Sequence, residues 1–375
     1  MTFFTGDRIE PVATDEPDDG ADTRRERRSW LGWLLVSVSL VIVLALAFAP
    51  SPYVIETPGP VYDTLGTVGE DETPLISIPD AETFPTSGSL DLLTVSVLGS
   101  PSRPANLFEV AVSWFDPSRS VQPLEAVYPA GTTTEQQREQ SQIQMRNSQQ
   151  EAIAAALTEL GYDIPRTVSV AAFLQDSPAE GVLETGDVIT SLDGDPVSGL
   201  TDLREKLEAH GTDGPAEIGV LRDGDPMTVE VTPADYNGVV ALGVSVQVDY
   251  TFPFDVEIEL PDVGGPSAGM MFALGIYDTL TEGQLTGGLS IAGTGTIDAE
   301  GTVGPIGGIR QKLYGAERAG ASLFLAPEDN CDEVVGHVPS GMDVVAVGDL
   351  DDAIAAIELV AAGGDASTLP TCTAG

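Results

Sequence analysis

From Trp30 to Ala49 the chain runs WLGWLLVSVSLVIVLALAFA, twenty residues without a charge. At about 1.5 Å of rise per residue, a helix of that length crosses a hydrocarbon core about 30 Å thick, so the run predicts a membrane span. Arg24, Arg25, Arg27 and Arg28 precede it. The positive-inside bias then puts the amino-terminal tail in the cytoplasm and everything after Pro50 outside. Trp30 and Trp33 suit an interfacial aromatic belt. A cleaved signal peptide competes with this reading, because Ala47-Phe48-Ala49 offers a small-x-small site. The apolar run exceeds the usual ~7–15 residues of such a peptide, which favours an uncleaved anchor.

The chain as a whole has the composition of globular domains, 42% hydrophobic and 20% charged. Its 59 acidic and 16 basic residues give a formal charge of -43, which repels nucleic acid phosphates and speaks for solubility rather than for any particular substrate. Cys331 and Cys372 are the only cysteines. In an oxidising compartment one bridge would tie down the carboxyl-terminal segment, and two unpaired thiols are the alternative. His210 and His337 stand alone, without HExxH or CxxC spacing, so neither a zinc ion nor another metal or cofactor is expected.

Residues 1–29 read as a cytoplasmic disordered tail. After the span, Leu90–Leu98 (LDLLTVSVL) has the composition of a strand. Residues 135–160 lack glycine and proline and predict a long helix, with Ile143, Met145, Ala152, Ile153, Ala156 and Leu157 on its apolar face and Gly161 as the stop. Next come Ser177-Pro178-Ala179-Glu180-Gly181, Gly186-Asp187-Val188-Ile189, Asp193-Gly194-Asp195-Pro196-Val197, a helix over Leu200–His210 and a strand pair around Arg222-Asp223-Gly224. Gly194 permits a tight hairpin and Asp187 a turn cap. As a set this succession resembles a bacterial PDZ domain, which implies a groove between helix and strand for an extended peptide. No GLGF-like carboxylate loop is visible. A β-rich block that binds nothing is the alternative.

Only two lysines occur, Lys206 and Lys312, in a chain that otherwise carries its positive charge on arginine. Lysine, unlike arginine, loses its proton when desolvated and then acts as a base. Upstream lies Gly264-Gly265-Pro266-Ser267-Ala268-Gly269. The glycines allow unusual backbone, Pro266 suits a first helical position, and an apolar helix follows, which places Ser267 at a helix amino terminus where free N–H groups stabilise an oxyanion. Ser267 and Lys312 thus form a candidate dyad. An N-cap serine and a solvated surface lysine are the bland alternatives.

The joint pattern resembles the proteolytic domain of the Lon family. Its carriers are Gly265-Pro266-Ser267-Ala268-Gly269, Gly293-Thr294-Gly295-Thr296 and Pro305-Ile306-Gly307-Gly308-Ile309 followed by Gln311-Lys312. The resemblance implies Ser267 as nucleophile, Lys312 as general base and Thr294 as the hydroxyl that orients the lysine, with Gly265 and Ala268 supporting the oxyanion. The Leu90–Leu98 strand and the helix containing Gln144-Met145-Arg146-Asn147 look like the first strand and helix of the same domain, so the PDZ block reads as inserted into it. The expected architecture is α+β, with one transmembrane helix (30–49), protease segments at 51–165 and 236–360, a PDZ domain at 166–235 and a tail at 361–375. Two departures stand out. Where many Lon enzymes have an aspartate three residues before the serine, this chain has Gly264, with Asp262 the nearest acid, and it contains no GxxxxGK[ST] loop for ATP. The arrangement is similar to the membrane-anchored PDZ-Lon proteases of Gram-positive bacteria. It implies an extracytoplasmic, ATP-independent serine endopeptidase acting on protein or peptide substrates, with a non-catalytic scaffold or a self-processing surface protein as alternatives.

Overall fold

The computed structural model describes residues 19–69, 71–129, 133–174, 177–236, 238–260 and 263–373. The first element, α1 (Asp19–Phe48), is a continuous helix through the uncharged run. It starts inside the segment expected to be disordered, because Arg24 to Arg28 are good helix formers, while residues 1–18 of that segment lie outside the described residues. Its described apolar side chains stand exposed, Trp33 at 73% and Val41 at 64%. Among the described residues no helix is long and apolar enough to cross a membrane, and the side chains of Leu31, Leu46 and Phe48 lie outside the description.

Two sheets follow. The first takes strands from both ends of the chain: β1 (Tyr53–Asp63), β2 (Ser89–Leu98), β3 (Ser120–Pro123), and, far downstream, partners in the order given below. Between β2 and β3 lies the short helix α2 (Leu107–Ser113), and after β3 the long helix α3 (Thr134–Glu159). The second sheet contains β4 (Arg166–Phe173), β5 (Val188–Leu192), the helix α4 (Leu200–His210) on its flank, β6 (Ala216–Arg222), β7 (Asp225–Val231) and β8 (Val244–Tyr250). The chain then forms α5 (Gly269–Leu280), β9 (Ser290–Gly293), the hairpin β10 (Thr296–Ile297) and β11 (Val303–Gly304), α6 (Ile309–Ala319), β12 (Leu323–Pro327), β13 (Asp343–Val347) and α7 (Leu350–Ala361).

The first sheet runs β13-β12-β9-β2-β1-β3, parallel from β13 to β2 and antiparallel beyond. Side chains alternate across it. Leu90, Leu92, Ile291, Leu323 and Leu325 face a core shared with α3, α5 and α7, while Leu93, Ala292, Phe324 and Ala326 face α6. A strand buried on both faces reads as a continuous apolar run, and α5 is apolar on every side from Met270 to Ile276 because it fills the middle of that core. Helix α3 begins at a capping box, in which Thr133 Oγ1 accepts from the Gln136 N–H at 3.2 Å and Gln136 Oε1 accepts from the Thr133 N–H at 2.9 Å. It stops at Gly161, whose φ is 83°. Met145 and Ala152–Leu157 are buried as expected, but Ile143 is 44% exposed, since it lies a quarter turn or more off the packed face.

The second sheet is antiparallel, in the order β7-β6-β5-β4-β8, with Asp195–Pro196 added to β5. Asp193-Gly194 and Asp223-Gly224 both have positive φ at the two positions, the pairing a tight hairpin demands. Leu203 and Leu207 of α4, one turn apart, bury against Val168, Ile189, Leu192 and Ile218. Val244–Tyr250, grouped by sequence with the catalytic region, pairs with β4 along its whole length, because its alternating Val244, Val246 and Val248 complete this second core. At the junction of the sheets Tyr250 and Arg166 are register partners, and Arg166 forms an ion pair with Glu300 of the β10–β11 hairpin. The described end of the chain is tied down rather than a free tail: Ala346 N–H donates to Pro370 O at 2.9 Å, and Cys331 is disulfide-bonded to Cys372.

Candidate active site

Ser267 and Lys312 come together across 45 residues of sequence, with Nζ to Oγ at 2.7 Å. Helix α6 brings the lysine. It lies close on β1 and β2 because two of its glycines leave room: a Cβ at Gly308 would sit 2.8 Å from Val95 Cγ2, and one at Gly315 would sit 3.3 Å from Leu93 Cδ2. Gly308 also carries a left-handed φ of 71° at the N-cap, which turns the chain into the helix. Lys312 is 2% exposed. Its second hydrogen bond goes to Thr294 Oγ1 at 2.8 Å, and among the described residues no carboxylate pairs with it. Desolvation without a counter-charge disfavours the ammonium and lowers its pKa from 10.5 to about 7.

Thr294 does two things at once. Its hydroxyl accepts from Lys312 and donates to the Ser267 carbonyl at 2.9 Å, while the Gly295 N–H donates to the same carbonyl at 3.1 Å. The backbone of the serine is thereby fixed from below and the amine is aimed at its hydroxyl.

The loop before the serine is held by α3. Gly265 has a φ of 89°, and its N–H donates to Ser141 O at 2.8 Å, so this amide anchors the loop instead of pointing at a substrate. Ser148 Oγ donates to Pro266 O at 2.9 Å. Gly264 answers why no aspartate stands there: a Cβ at that position would lie 2.7 Å from Ser141 Cβ. Asp262 lies outside the described residues. Helix α5 begins at Gly269, with Ala268 as N-cap, so Pro266 precedes the helix and is not its first residue. Its Met270 N–H is satisfied by Gly295 O at 3.2 Å. The amides of Ser267 and Ala268 have no acceptor among the described residues, and they stand at the positive end of α5.

The dyad opens into a cleft of about 400 Å³. One wall is Val263, Gly264, Ala268 and Met145; the other is Pro60, Tyr62 and residues 92–96 of β2. A bulge shapes that second wall. The β1–β2 register shifts between Pro58 and Val61, Gly59 has no room for a Cβ against Thr94, and Thr94 Oγ1 donates to Pro60 O at 2.7 Å. His210 lies on the second sheet's helix, bonded to Asp193 and Gly214, and takes no part here.

A serine hydroxyl against a buried, unpaired lysine, with two free amides at a helix amino terminus beside it, is the arrangement of a serine-lysine acyl-transfer site. The comparisons with known proteins agree in kind. Residues 228–360 match the Lon protease (S16) C-terminal proteolytic domain, and residues 142–232 match the PDZ domain. The Lon protease of Geobacter metallireducens is 31% identical over 186 residues, which are 47% of this chain and 22% of that protein. Lon protease 2 of Herpetosiphon aurantiacus is 38% identical over 27% of this chain and 13% of its own length. The PDZ domain of an SdrC-like protein from Listeria monocytogenes is 21% identical, with a TM-score of 0.20, over 21% of this chain and 85% of that one. The matches thus span less than a quarter of the Lon proteases' own length. The chain carries a Lon-type proteolytic domain together with a PDZ domain.

Proposed function

We propose that this protein is a membrane-anchored, ATP-independent serine endopeptidase that works outside the cytoplasm, with the PDZ block inserted in the protease domain. The contact that carries the reading is Lys312 Nζ to Ser267 Oγ, 2.7 Å, with the amine buried and near neutrality. As the free amine, Lys312 takes the proton of the Ser267 hydroxyl while Oγ attacks the scissile carbonyl carbon. The resulting oxyanion is met by the Ser267 and Ala268 amides. The ammonium then gives its proton to the leaving amine as the C–N bond breaks and the acyl-enzyme forms. A water molecule, deprotonated by the same amine, releases the acid and restores the serine. Thr294 holds the amine in line throughout, and no third residue is needed to switch a tautomer.

The PDZ block captures extended or unfolded segments between α4 and the neighbouring strand and delivers them to the cleft. Support for the anchor comes from the uncharged Trp30–Ala49 run in α1, its exposed apolar side chains and the four arginines before it. Independence from ATP is supported by the want of a phosphate-binding loop in this sequence. The test uses the full chain in vesicles, with cleavage of an unfolded protein and labelling by a serine-reactive phosphonate as readouts. Ser267→Ala and Lys312→Ala should each abolish both. Undiminished cleavage in either variant would sink the dyad.

A further inference from the structure

Helix α2 is amphipathic with its apolar side facing outward. Phe108, Ala111, Val112 and Phe115 follow the i, i+3, i+4, i+7 spacing of one helix face, the last through a turn in which Phe115 N–H bonds Val112 O at 3.1 Å. All four are exposed, Phe108 at 60% and Phe115 at 89%, and Trp114 beside them is 69% exposed. The opposite side is already used: Val110 packs on Ile55, Ala105 and Val121, and Ser113 is buried. The one charged residue of the helix, Glu109, is turned back into the capping box, where it accepts from the Asn106 N–H at 3.0 Å. In a chain of net charge -43 the stripe itself thus carries no charge, and the Asp116–Arg119 ion pair lies just beyond Phe115. Tyr53 and Leu98, on the sheet face of Ile55, are exposed at the ends of β1 and β2.

The place of the face decides what covers it. The start of α2 is hydrogen-bonded to the end of α1: Leu107 N–H donates to Ala49 O at 3.1 Å, Pro50 and Asn106 form an antiparallel bridge, and Ser51 N–H donates to Ala105 O at 2.9 Å. Where α1 leaves the hydrocarbon, α2 must lie at the same depth. Tryptophan and phenylalanine at that level are the residues that partition into the interface of a bilayer, and an uncharged face removes repulsion by anionic lipid head groups. We infer that the face of α2, with Trp114, docks into the outer surface of the bilayer that α1 spans, and so holds the protease domain in one orientation against the membrane. This rests on the reading of α1 as an anchor. The occupant is the lipid surface; a second copy of the chain or another protein is the alternative that the experiment separates.

The chain has three tryptophans, so Trp30→Phe with Trp33→Phe leaves Trp114 as the sole indole. The full-length double variant is reconstituted in vesicles of phosphatidylcholine with phosphatidylglycerol, with and without brominated phosphatidylcholine. The expected result is a blue-shifted Trp114 emission that loses intensity to brominated lipid and resists aqueous acrylamide. Adding Phe115→Asp, at an exposed position that leaves the secondary structure unchanged, should return the emission to that of an indole in water. Emission quenched by acrylamide and not by brominated lipid overturns the docking. Emission shielded from both quenchers also overturns it, since protein then covers the face. Vesicle flotation separates the two claims: a chain that fails to float takes down the anchor and the docking together, whereas one that floats with Trp114 in water takes down the docking alone.

Discussion

Asp187 and Lys312 are both withdrawn from solvent, and the two sheets treat them in opposite ways. In the PDZ sheet the Asp187 carboxylate receives two hydrogen bonds from Arg222, at 2.8 and 2.7 Å, and a third from the Glu184 N–H at 2.8 Å. Hydrogen bonding from Arg222, then from the Glu184 backbone, holds its pKa below the ordinary carboxylate value. In the protease sheet Lys312 meets two hydroxyls and, among the described residues, no opposite charge, and its pKa falls to about 7. A buried charge that is fully paired stays charged and rigidifies its fold, whereas one left unpaired gives up its proton and becomes a base. Lys206, the chain's other lysine, is a third case: part exposed on α4 and paired with Asp202 one turn away.

Lys312→Arg attacks this contrast most directly, because it puts a permanent charge into the same dry site. Cleavage should fall by about 10⁴-fold, measured with a fluorogenic peptide, as expected when the base of a covalent mechanism is removed. Lys312→Met should be equally inactive but more stable than the parent by about 1–4 kcal/mol, since it removes a buried amine that has two hydroxyl partners but no counter-charge among the described residues. The sign can be checked by pH. The unfolded chain keeps an ordinary lysine proton while the folded one loses it near 7, so the parent gains stability as pH rises from about 7 towards 10.5. The methionine advantage, read by denaturant titration, should therefore be largest below neutrality and shrink above it.

Asp187→Asn tests the other half. It should lower stability by about 2 kcal/mol at neutral pH through lost charge-assisted hydrogen bonds, with peptide cleavage by the dyad little changed. Because the folded pKa of Asp187 is depressed, its contribution is complete above the ordinary carboxylate value and is lost as pH falls through the folded one. The difference between parent and variant, followed by urea unfolding, should close as the solution is acidified. Smaller still is Thr294→Val, which removes an acceptor that favours the ammonium. The turnover rate should drop by about tenfold, and the pH limb, which rises through about 7 in the parent, should move to lower pH. Lys206→Ala should change stability by at most about 0.5 kcal/mol, the usual worth of an exposed helical ion pair.

Much of this was legible in the residues themselves. The hairpins at Asp193-Gly194 and Asp223-Gly224 are read directly from their dipeptides, since few other residues accept positive φ at both positions. Helix α4 runs from Leu200 to His210, the bounds it has in the PDZ-like succession of the sequence. The Ser267–Lys312 pairing was signalled by a lysine out of keeping with the chain's use of arginine. What escaped the sequence reading is burial of polar residues. Ser141 and Ser148 sit in a glutamine-rich stretch with the look of a solvated helix surface, yet they hold the serine loop more than 100 residues away. No local pattern marks them, because their partners are backbone carbonyls and amides of another segment. The role of Gly264 likewise depends on Ser141 being close, and β8 could be assigned to its sheet only once β4 was there to pair with it.

Strand β2 has two unlike ends. At Leu98 it belongs to the apolar rim beside α2, and at Thr94 to Ser96 it forms a wall of the catalytic cleft. Four residues of extended chain separate Leu98 from Thr94, which is about 13 Å at ~3.3 Å per residue. With α2 seated on the bilayer, the strand becomes a ruler. On that proposal the height of the active site above the lipid would be set by rigid backbone and not by a flexible tether, and a polypeptide rooted in the same membrane would meet Ser267 at a fixed number of residues from its own point of exit.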